Sequence, residues 1–301
     1  MNDIKQDNLI FKIFPSFTHP YISLMRLDRP IGFLLLFYPI SFSLFSQSNY
    51  DFELLKYFIL FFIGSVAMRS AGCIINDILD KKIDEKVKRT QSRPLASSKL
   101  SVLKACITLA LMLMIGLLIL INLNLPSIIL SLTIIPLVVL YPLAKRFFVL
   151  PQLILAMTYN WGCMIGWVTI NSPYNFNNIL ILYLSLIIWT IVYDTIYAVQ
   201  DVVDDIKMNL YSSAILFGSK KLSILNSLII IQYFLLIVFG YKMNYGIFFY
   251  VIVVLISLLN IGDINFLWKN DARKSDLYFK RNNYYGFLIL LSIIIGTQFN
   301  V

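Results

Sequence analysis

The sequence predicts an all-α, polytopic membrane protein with about nine transmembrane helices, and its composition and its long apolar runs carry that prediction. Of the 301 residues, 59% are apolar and only 14% are charged, whereas soluble domains average about 45–50% and about 25%. A soluble fold of this length could not bury so much apolar surface. Disordered chains, collagen-like fibres and soluble nucleic-acid-binding proteins are therefore excluded.

Apolar segments recur along the whole chain, and each approaches the roughly 20 residues that a membrane-spanning helix needs. The fourth and fifth segments are interrupted or bounded by Pro136, Pro142 and Pro151. The predicted spans, in order, are 31–48, 55–76, 101–121, 126–144, 151–170, 179–200, 221–240, 244–262 and 284–300.

The basic residues indicate how these spans are oriented. With the N-terminus in the cytoplasm, nearly all of the 25 lysines and arginines fall in cytoplasmic segments, which explains the net charge of +9 without a nucleic-acid partner. Only Lys56 and Lys242 lie near the other side, and Arg69 falls within a span. Residues 1–18 form a peripheral segment with neither a signal-peptide nor a presequence pattern, which predicts a bacterial inner membrane.

The first acidic cluster lies at the cytoplasmic end of the second predicted span. Asn76, Asp80 and Asp84 are spaced four residues apart, with Asp77 beside them, so a continuing helix would place the three on one face. Like charges at this spacing repel each other, and a bound cation would reverse the penalty. Oxygen ligands favour a hard cation such as Mg²⁺. The alternative is a solvated helix end balanced by neighbouring lysines.

A second acidic cluster follows the sixth predicted span. Asp201 and Asp205 are four residues apart, with Asp204 between them, and Asp194 lies seven residues before Asp201 on nearly the same helical face. Both spans run towards the cytoplasm, so both clusters emerge on one face of the membrane. Because Mg²⁺ is usually held by one or two carboxylates plus substrate phosphates, the pair predicts a diphosphate substrate at the membrane surface.

Five cations are candidates for binding the anionic parts of a substrate. Arg69 lies inside the second span, where an ionisable residue indicates function, and it could pair with Asp194 or bind an anionic group. Arginine grips phosphate or carboxylate through two hydrogen bonds, whereas lysine acts as a point charge. The alternative for the loop cations is orientation in the membrane. These loop cations are Arg89, Arg93, Lys145 and Arg146.

Two stretches resemble the signatures of the UbiA superfamily of intramembrane prenyltransferases: MRSAGCIINDILDKKIDEKVKRTQSRPL resembles the first, and YDTIYAVQDVVDD the second. Three further stretches resemble the 4-hydroxybenzoate polyprenyltransferase branch, namely YISLMRLDRPIGFLLLFYP, YPLAKRFFVLPQ and the Met-Arg-x-Ala-Gly-Cys sequence that begins the first signature. One departure from the family pattern is Ser98, where the family often has glycine.

The resemblance implies one prenyltransferase domain over 1–301, with nine transmembrane helices around a central cavity. It implies Mg²⁺-dependent transfer of a polyprenyl group from its diphosphate to the ring carbon ortho to the phenol of 4-hydroxybenzoate, a step of ubiquinone synthesis. The partners would be polyprenyl diphosphate, 4-hydroxybenzoate and the lipid bilayer.

The resemblance also implies roles for particular residues. Asn76, Asp80 and Asp84, with Asp201 and Asp205, would hold the metal and diphosphate. Asp77 and Asp204 match the same motifs, and Lys145 and Arg146 match a basic pair near the diphosphate or benzoate. Asp194 or Asp201 would be the base that activates the phenol.

Two alternatives remain at the level of the sequence. A UbiA-type enzyme with another acceptor would share both acidic motifs, although the MRxAGC and YDTIYAxxD stretches favour 4-hydroxybenzoate. A membrane transporter would use Asp194 and Arg69 as charges along its pathway. It predicts charges spread through the membrane depth, whereas these acids cluster at one face.

Overall fold

A computed structural model describes residues 9–46, 50–87, 90–170, 176–267 and 272–299. The described residues form helices and contain no β-strand, which confirms the predicted all-α class. The helices are α1 Leu9–Ile13, α2 His19–Leu24, α3 Ile31–Leu44, α4 Phe52–Leu79, α5 Lys81–Asp84, α6 Val102–Leu120, α7 Leu125–Thr133, α8 Ile135–Ala144, α9 Pro151–Asn160, α10 Gly162–Ile170, α11 Phe176–Ala198, α12 Val202–Lys207, α13 Ser213–Leu216, α14 Lys221–Lys242, α15 Ile247–Leu267 and α16 Ala272–Gln298.

Within the described residues, each of the nine predicted spans overlaps at least one helix, but the count of nine is not confirmed. Seven helical segments of the described chain are long and apolar enough to cross a membrane. The first predicted span is only the 14-residue helix α3. The last lies in α16, which opens with the polar sequence ARKSDLYFKRNN and is apolar only in its second half. The seven segments are Phe52–Leu79, Val102–Leu120, Leu125–Ala144, Pro151–Ile170, Phe176–Lys207, Gly218–Lys242 and Ile247–Phe266.

Local sequence explains several helix boundaries. The Asn124 side chain accepts a hydrogen bond from the Ser127 amide (3.0 Å) and so caps the start of α7. Pro136 lies in the first turn of α8, directly after the break that separates α7 from α8, because proline cannot donate the hydrogen bond that would continue the preceding helix.

The chain divides into two compact units. The first contains Met1–Leu34 and Ile59–Leu123, and the second contains Leu35–Phe58 and Asn124–Val301. A single domain over residues 1–301 therefore stays a prediction.

Each unit has its own buried core. The core of the first unit includes Leu24, Ile74 and Leu95. In the second unit, α11 packs against α9, α14 and α16, and its Trp189 side chain is almost completely buried.

Buried polar side chains connect the helices of the second unit. Asn260 of α15 accepts a hydrogen bond from the Tyr278 hydroxyl of α16 (2.6 Å) and donates one to the Tyr233 hydroxyl of α14 (3.2 Å). The Trp189 ring nitrogen of α11 donates to Asn282 of α16 (2.8 Å). Since membrane helices gain little from apolar burial against each other, such interhelical hydrogen bonds contribute to their pairing.

Candidate functional site

The first acidic motif follows a nearly continuous helical path. Helix α4 ends at Leu79, and the Asp80 amide donates to the Asn76 carbonyl (2.9 Å), while the Asp84 amide donates to the Asp80 carbonyl (2.8 Å). Asn76, Asp80 and Asp84 therefore stand one helical turn apart, as their spacing predicts. Asn76 and Asp80 are half-buried and Asp84 is buried.

Two arginines hold the acidic end of α4. Asp77, whose side chain is only 2% exposed, accepts hydrogen bonds at Oδ1 from Arg26 Nη2 (2.7 Å) and Arg93 Nη1 (3.2 Å). Arg93 Nη1 also donates to Asp84 Oδ2 (2.9 Å). Arg93, a predicted substrate-binding residue, is thus an ion-pair partner of two motif acids. Arg89 lies outside the described residues.

Arg69 is half-buried in α4, inside the helix where the sequence places it. A β-carbon on Gly32 of α3 would lie 2.8 Å from Arg69 Nε. Only glycine at position 32 therefore leaves room for the guanidinium in this position.

The second acidic motif is less regular than predicted. Helix α11 ends at Ala198, a 3₁₀ turn occupies Val199–Asp201, and α12 begins at Val202. Because a 3₁₀ helix has 3.0 residues per turn, these three residues rotate the chain by about 60° more than an α-helix would. Asp194 and Asp201 therefore share a face less closely than a continuous helix would place them.

The acids of this second motif differ in exposure. Asp205 is buried, and Asp194 and Asp201 are half-buried. The side chain of Asp204 is 60% exposed and lies 3.9 Å from Lys207 Nζ. At this distance in solvent, the pair contributes little stability.

Within the second unit, the loop after α12 joins the predicted basic pair to the second acidic motif. The Tyr211 amide donates to the Lys145 carbonyl, and the Leu210 amide donates to the Asp205 carbonyl, both at 2.9 Å. Lys145 is half-buried and Arg146 is exposed. Predicted cations and predicted carboxylate ligands thus lie at the same end of this unit.

Side-chain hydrogen bonds fix the same loop from two helices. The Ser213 amide donates to Gln152 Oε1 of α9 (2.8 Å), and the Ser213 hydroxyl lies 2.6 Å from that of Thr195 in α11. Thr195 directly follows Asp194, so the loop is tied to the helical turn that carries this acid.

The donor set fits a hard cation that also binds substrate phosphates. The side chains offer carboxylate and amide oxygens, which suit Mg²⁺. Oδ2 of Asp77 is buried and has no hydrogen-bond partner among the described residues. In the described ranges, no three His, Cys, Asp or Glu side chains are grouped so as to hold a metal ion.

The sequence matches the model of the UbiA prenyltransferase family over residues 36–289. The chain belongs to the UbiA prenyltransferase family. This confirms the resemblance carried by the two signatures, and with it the prediction of a membrane enzyme.

Curated relatives of this family cover most of the chain. A protein from Haemophilus ducreyi named 4-hydroxybenzoate octaprenyltransferase is 36% identical over 91% of this chain and 99% of its own. A protein of the same name from Francisella tularensis is 39% identical over 91% and 96%. The mitochondrial 4-hydroxybenzoate polyprenyltransferase of Drosophila pseudoobscura pseudoobscura is 38% identical over 97% and 74%.

Solved UbiA structures share the fold. A UbiA homologue from Aeropyrum pernix superposes with a TM-score of 0.71 at 24% identity, covering 88% of this chain and 97% of its own. A UbiA homologue from Archaeoglobus fulgidus, solved with GPP and Mg²⁺, gives 0.66 at 18% identity, covering 90% and 99%.

Sequence reasoning misses Arg26 and the residues that fix the loop after α12. Arg26 is a cytoplasmic cation inside the YISLMRLDRPIGFLLLFYP stretch, but no local pattern connects it to an acid 51 positions later. Gln152 ends the YPLAKRFFVLPQ stretch, Thr195 directly follows Asp194 and Ser213 directly follows Ser212, but no local pattern links the three. An unexplained polar residue beside a predicted site acid, such as Thr195, is the signal that the sequence offers.

Proposed function

We propose that this UbiA family member transfers a polyprenyl group from polyprenyl diphosphate to 4-hydroxybenzoate, in a Mg²⁺-dependent step of ubiquinone synthesis. The observation that carries the proposal is the 36–39% identity, over more than nine-tenths of the chain, to bacterial relatives named 4-hydroxybenzoate octaprenyltransferase. The proposed location is a bacterial inner membrane, with the acidic motifs on the cytoplasmic face.

The diphosphate would be held by the oxygen donors of both motifs and by the neighbouring cations. The proposed metal ligands are Asn76, Asp77, Asp80, Asp84, Asp201, Asp204 and Asp205. Bound Mg²⁺ would neutralise charge on the departing diphosphate. Arg89, Lys145 and Arg146 would stabilise the same developing charge, and Arg93 would fix the acids that it contacts.

The proposed reaction replaces one bond with another. The bond between the allylic carbon and the diphosphate oxygen breaks, and its electron pair leaves with the diphosphate. The allylic carbon then forms a bond to the ring carbon ortho to the phenol, and that carbon loses its proton. An apolar surround protects the allylic cation from water, and aromatic side chains can stabilise it through their ring faces.

Charged groups in or at the ends of the membrane-spanning helices would orient and activate the acceptor. Asp194 or Asp201 is the proposed base for the phenol. Arg69 is the proposed partner of an anionic substrate group, because a guanidinium can donate two parallel hydrogen bonds to a carboxylate.

The test is prenyl transfer by the purified protein in lipid vesicles, with 4-hydroxybenzoate, a polyprenyl diphosphate and Mg²⁺. Removal of Mg²⁺ with EDTA, Asp80→Asn and Asp201→Asn should each abolish the product seen by mass spectrometry. Glu85→Gln is the matched control, since Glu85 is an exposed acid one residue beyond the first motif, and it should retain activity.

Transfer only to a different aromatic acceptor would contradict the proposed substrate. Absence of transfer to any acceptor would contradict the proposed activity and favour a transporter. Retained activity in both Asp variants would contradict the assignment of the acidic motifs.

A further inference from the structure

Arg26 occupies a backbone conformation that suits glycine better than arginine. Its φ is +57°, in the left-handed region that L-residues with a β-carbon enter at a cost. The Leu27 amide donates to the Ile22 carbonyl (3.0 Å), and the Arg26 amide donates to the Ser23 carbonyl (3.3 Å). This pair of hydrogen bonds is the Schellman motif, which ends α2 and places Arg26 at the position where glycine is preferred.

The side chain of Arg26 explains why an arginine tolerates this backbone. Its Nη1 donates to the Ser23 carbonyl (2.5 Å) and its Nη2 donates to Asp77 Oδ1 (2.7 Å). The side chain is only 14% exposed, so the left-handed turn directs a buried guanidinium to one carboxylate of α4. Strained backbone of this kind persists where the surrounding contacts hold it in place.

Two arginines and two aspartates form the ion pairs at this end of α4. Arg26 and Arg93 contribute two positive charges, and Asp77 and Asp84, both nearly buried, contribute two negative ones. Removing one partner from a buried ion pair leaves the other charge uncompensated. Both guanidinium groups bind Asp77 through Oδ1. These contacts fix the orientation of the carboxylate, and neither guanidinium binds Oδ2.

We infer that Arg26 is a positioning residue for the diphosphate-binding end of α4. By holding Asp77, it fixes the turn that also carries Asn76 and Asp80, the donors on either side of Asp77 in the motif. The inference rests on the proposed function, because it assigns Arg26 a role in placing that site's oxygen donors. Groups that hydrogen-bond to metal-binding carboxylates in this way commonly affect metal affinity or activity by roughly 10- to 100-fold.

Arg26→Gly separates the side chain from the backbone. It gives the left-handed position its preferred residue while deleting the guanidinium. The matched control is Ser98→Gly, which makes the same exchange at φ +57° on an exposed serine of the same unit. Arg26→Lys is the second variant, which retains the positive charge without the planar donor fork.

The first readout is the thermal unfolding midpoint, followed by the Mg²⁺ concentration that gives half-maximal transfer and by kcat and KM for the prenyl diphosphate. We expect Arg26→Gly to remain folded and to need roughly 10-fold or more Mg²⁺, with a smaller shift for Arg26→Lys and none for Ser98→Gly. Wild-type Mg²⁺ dependence in Arg26→Gly would overturn the inference. If Arg26→Gly does not fold, a wild-type Mg²⁺ dependence in Arg26→Lys overturns the inference instead.

A second readout does not need turnover. Calorimetric titration of geranyl thiolodiphosphate in the presence of Mn²⁺ measures binding directly. Weaker binding to Arg26→Gly than to wild type, with Ser98→Gly unchanged, supports the inference even if the chosen acceptor gives no product. Equal binding overturns it, and absence of binding to wild type overturns the proposed function together with it.

Discussion

At the scale of single residues, the four non-glycine positions with left-handed backbone in the described part of the chain show how side chain and conformation are matched. They are Arg26, Ser98, Asn209 and Asn244, with φ between +53° and +57°. Asparagine adopts this region more readily than most residues, and Arg26 has buried partners that hold it there. Ser98 is exposed and has neither advantage. Its departure from the family's glycine is visible in the sequence, and the positive φ explains why glycine is favoured.

Ser98→Gly should therefore stabilise the protein by up to about 1 kcal/mol, since glycine relieves the left-handed strain but increases the freedom of the unfolded chain. Thermal unfolding of the detergent-solubilised protein measures the effect. The control is Ser101→Gly, which removes the side chain that caps α6 by accepting from the Lys104 amide (3.3 Å), and which should destabilise. A lower unfolding midpoint for Ser98→Gly would contradict the explanation from backbone strain.

Gly32→Ala tests whether the position of Arg69 matters. The added methyl group would lie 2.8 Å from Arg69 Nε, and the flexible guanidinium would move away at little cost in stability. We expect roughly 10- to 100-fold lower kcat/KM for the acceptor, because small displacements of substrate-positioning groups have effects of this size.

The matched control for Gly32→Ala is Gly64→Ala, in the same helix as Arg69, where the nearest atom to a β-carbon would be Ile119 Cδ1 at 3.5 Å, an ordinary van der Waals contact. This variant should retain activity. Equal activity of Gly32→Ala and Gly64→Ala would show that the Arg69 position is not critical.

At the scale of secondary-structure elements, apolar periodicity locates the helices but not their interruptions. The break between α7 and α8 coincides with Pro136, which the sequence marks. The 3₁₀ turn at Val199–Asp201 has no proline or glycine to indicate it, so the sequence predicts one continuous helix. The motif spacing at Asn76–Asp84 is predictable because the backbone hydrogen bonds there remain helical.

Asn260→Leu should destabilise the packing of α14, α15 and α16. The substitution leaves the buried Tyr278 hydroxyl without its acceptor and the Tyr233 hydroxyl without its donor. We expect a loss of about 1–2 kcal/mol, measured by thermal unfolding. Asn265→Leu on the same helix is the control, since Asn265 is exposed and should change stability by less than half as much.

At the scale of the whole molecule, the all-α class, the membrane location and the family follow from the sequence, because composition, apolar length and two signatures carry them. The pairing of distant residues does not. Arg26 reaches an acid 51 residues away, and the amide of Tyr211 binds the carbonyl of Lys145. The apolar periodicity of the sequence indicates neither contact. Roles that depend on a distant partner, such as that of Arg26, are therefore seen only in the three-dimensional structure.

The same distinction applies to the proposed chemistry. Family membership is shown by the match over residues 36–289, whereas the acceptor and the metal ligands are proposals built on relatives and motifs. The oxygen donors are one helical turn apart in the first motif, which is the arrangement that the proposal needs. A direct test must therefore identify the bond that the protein forms.

That test is the transfer reaction with 4-hydroxybenzoate deuterated at the two ring positions ortho to the phenol. We predict a product that contains one prenyl group, loses one deuterium by mass spectrometry and shows a new carbon–carbon bond at that position by NMR. The product should disappear with EDTA. A prenylated product that keeps both deuterium atoms would show transfer to oxygen, and, like complete absence of product, would contradict the proposed reaction.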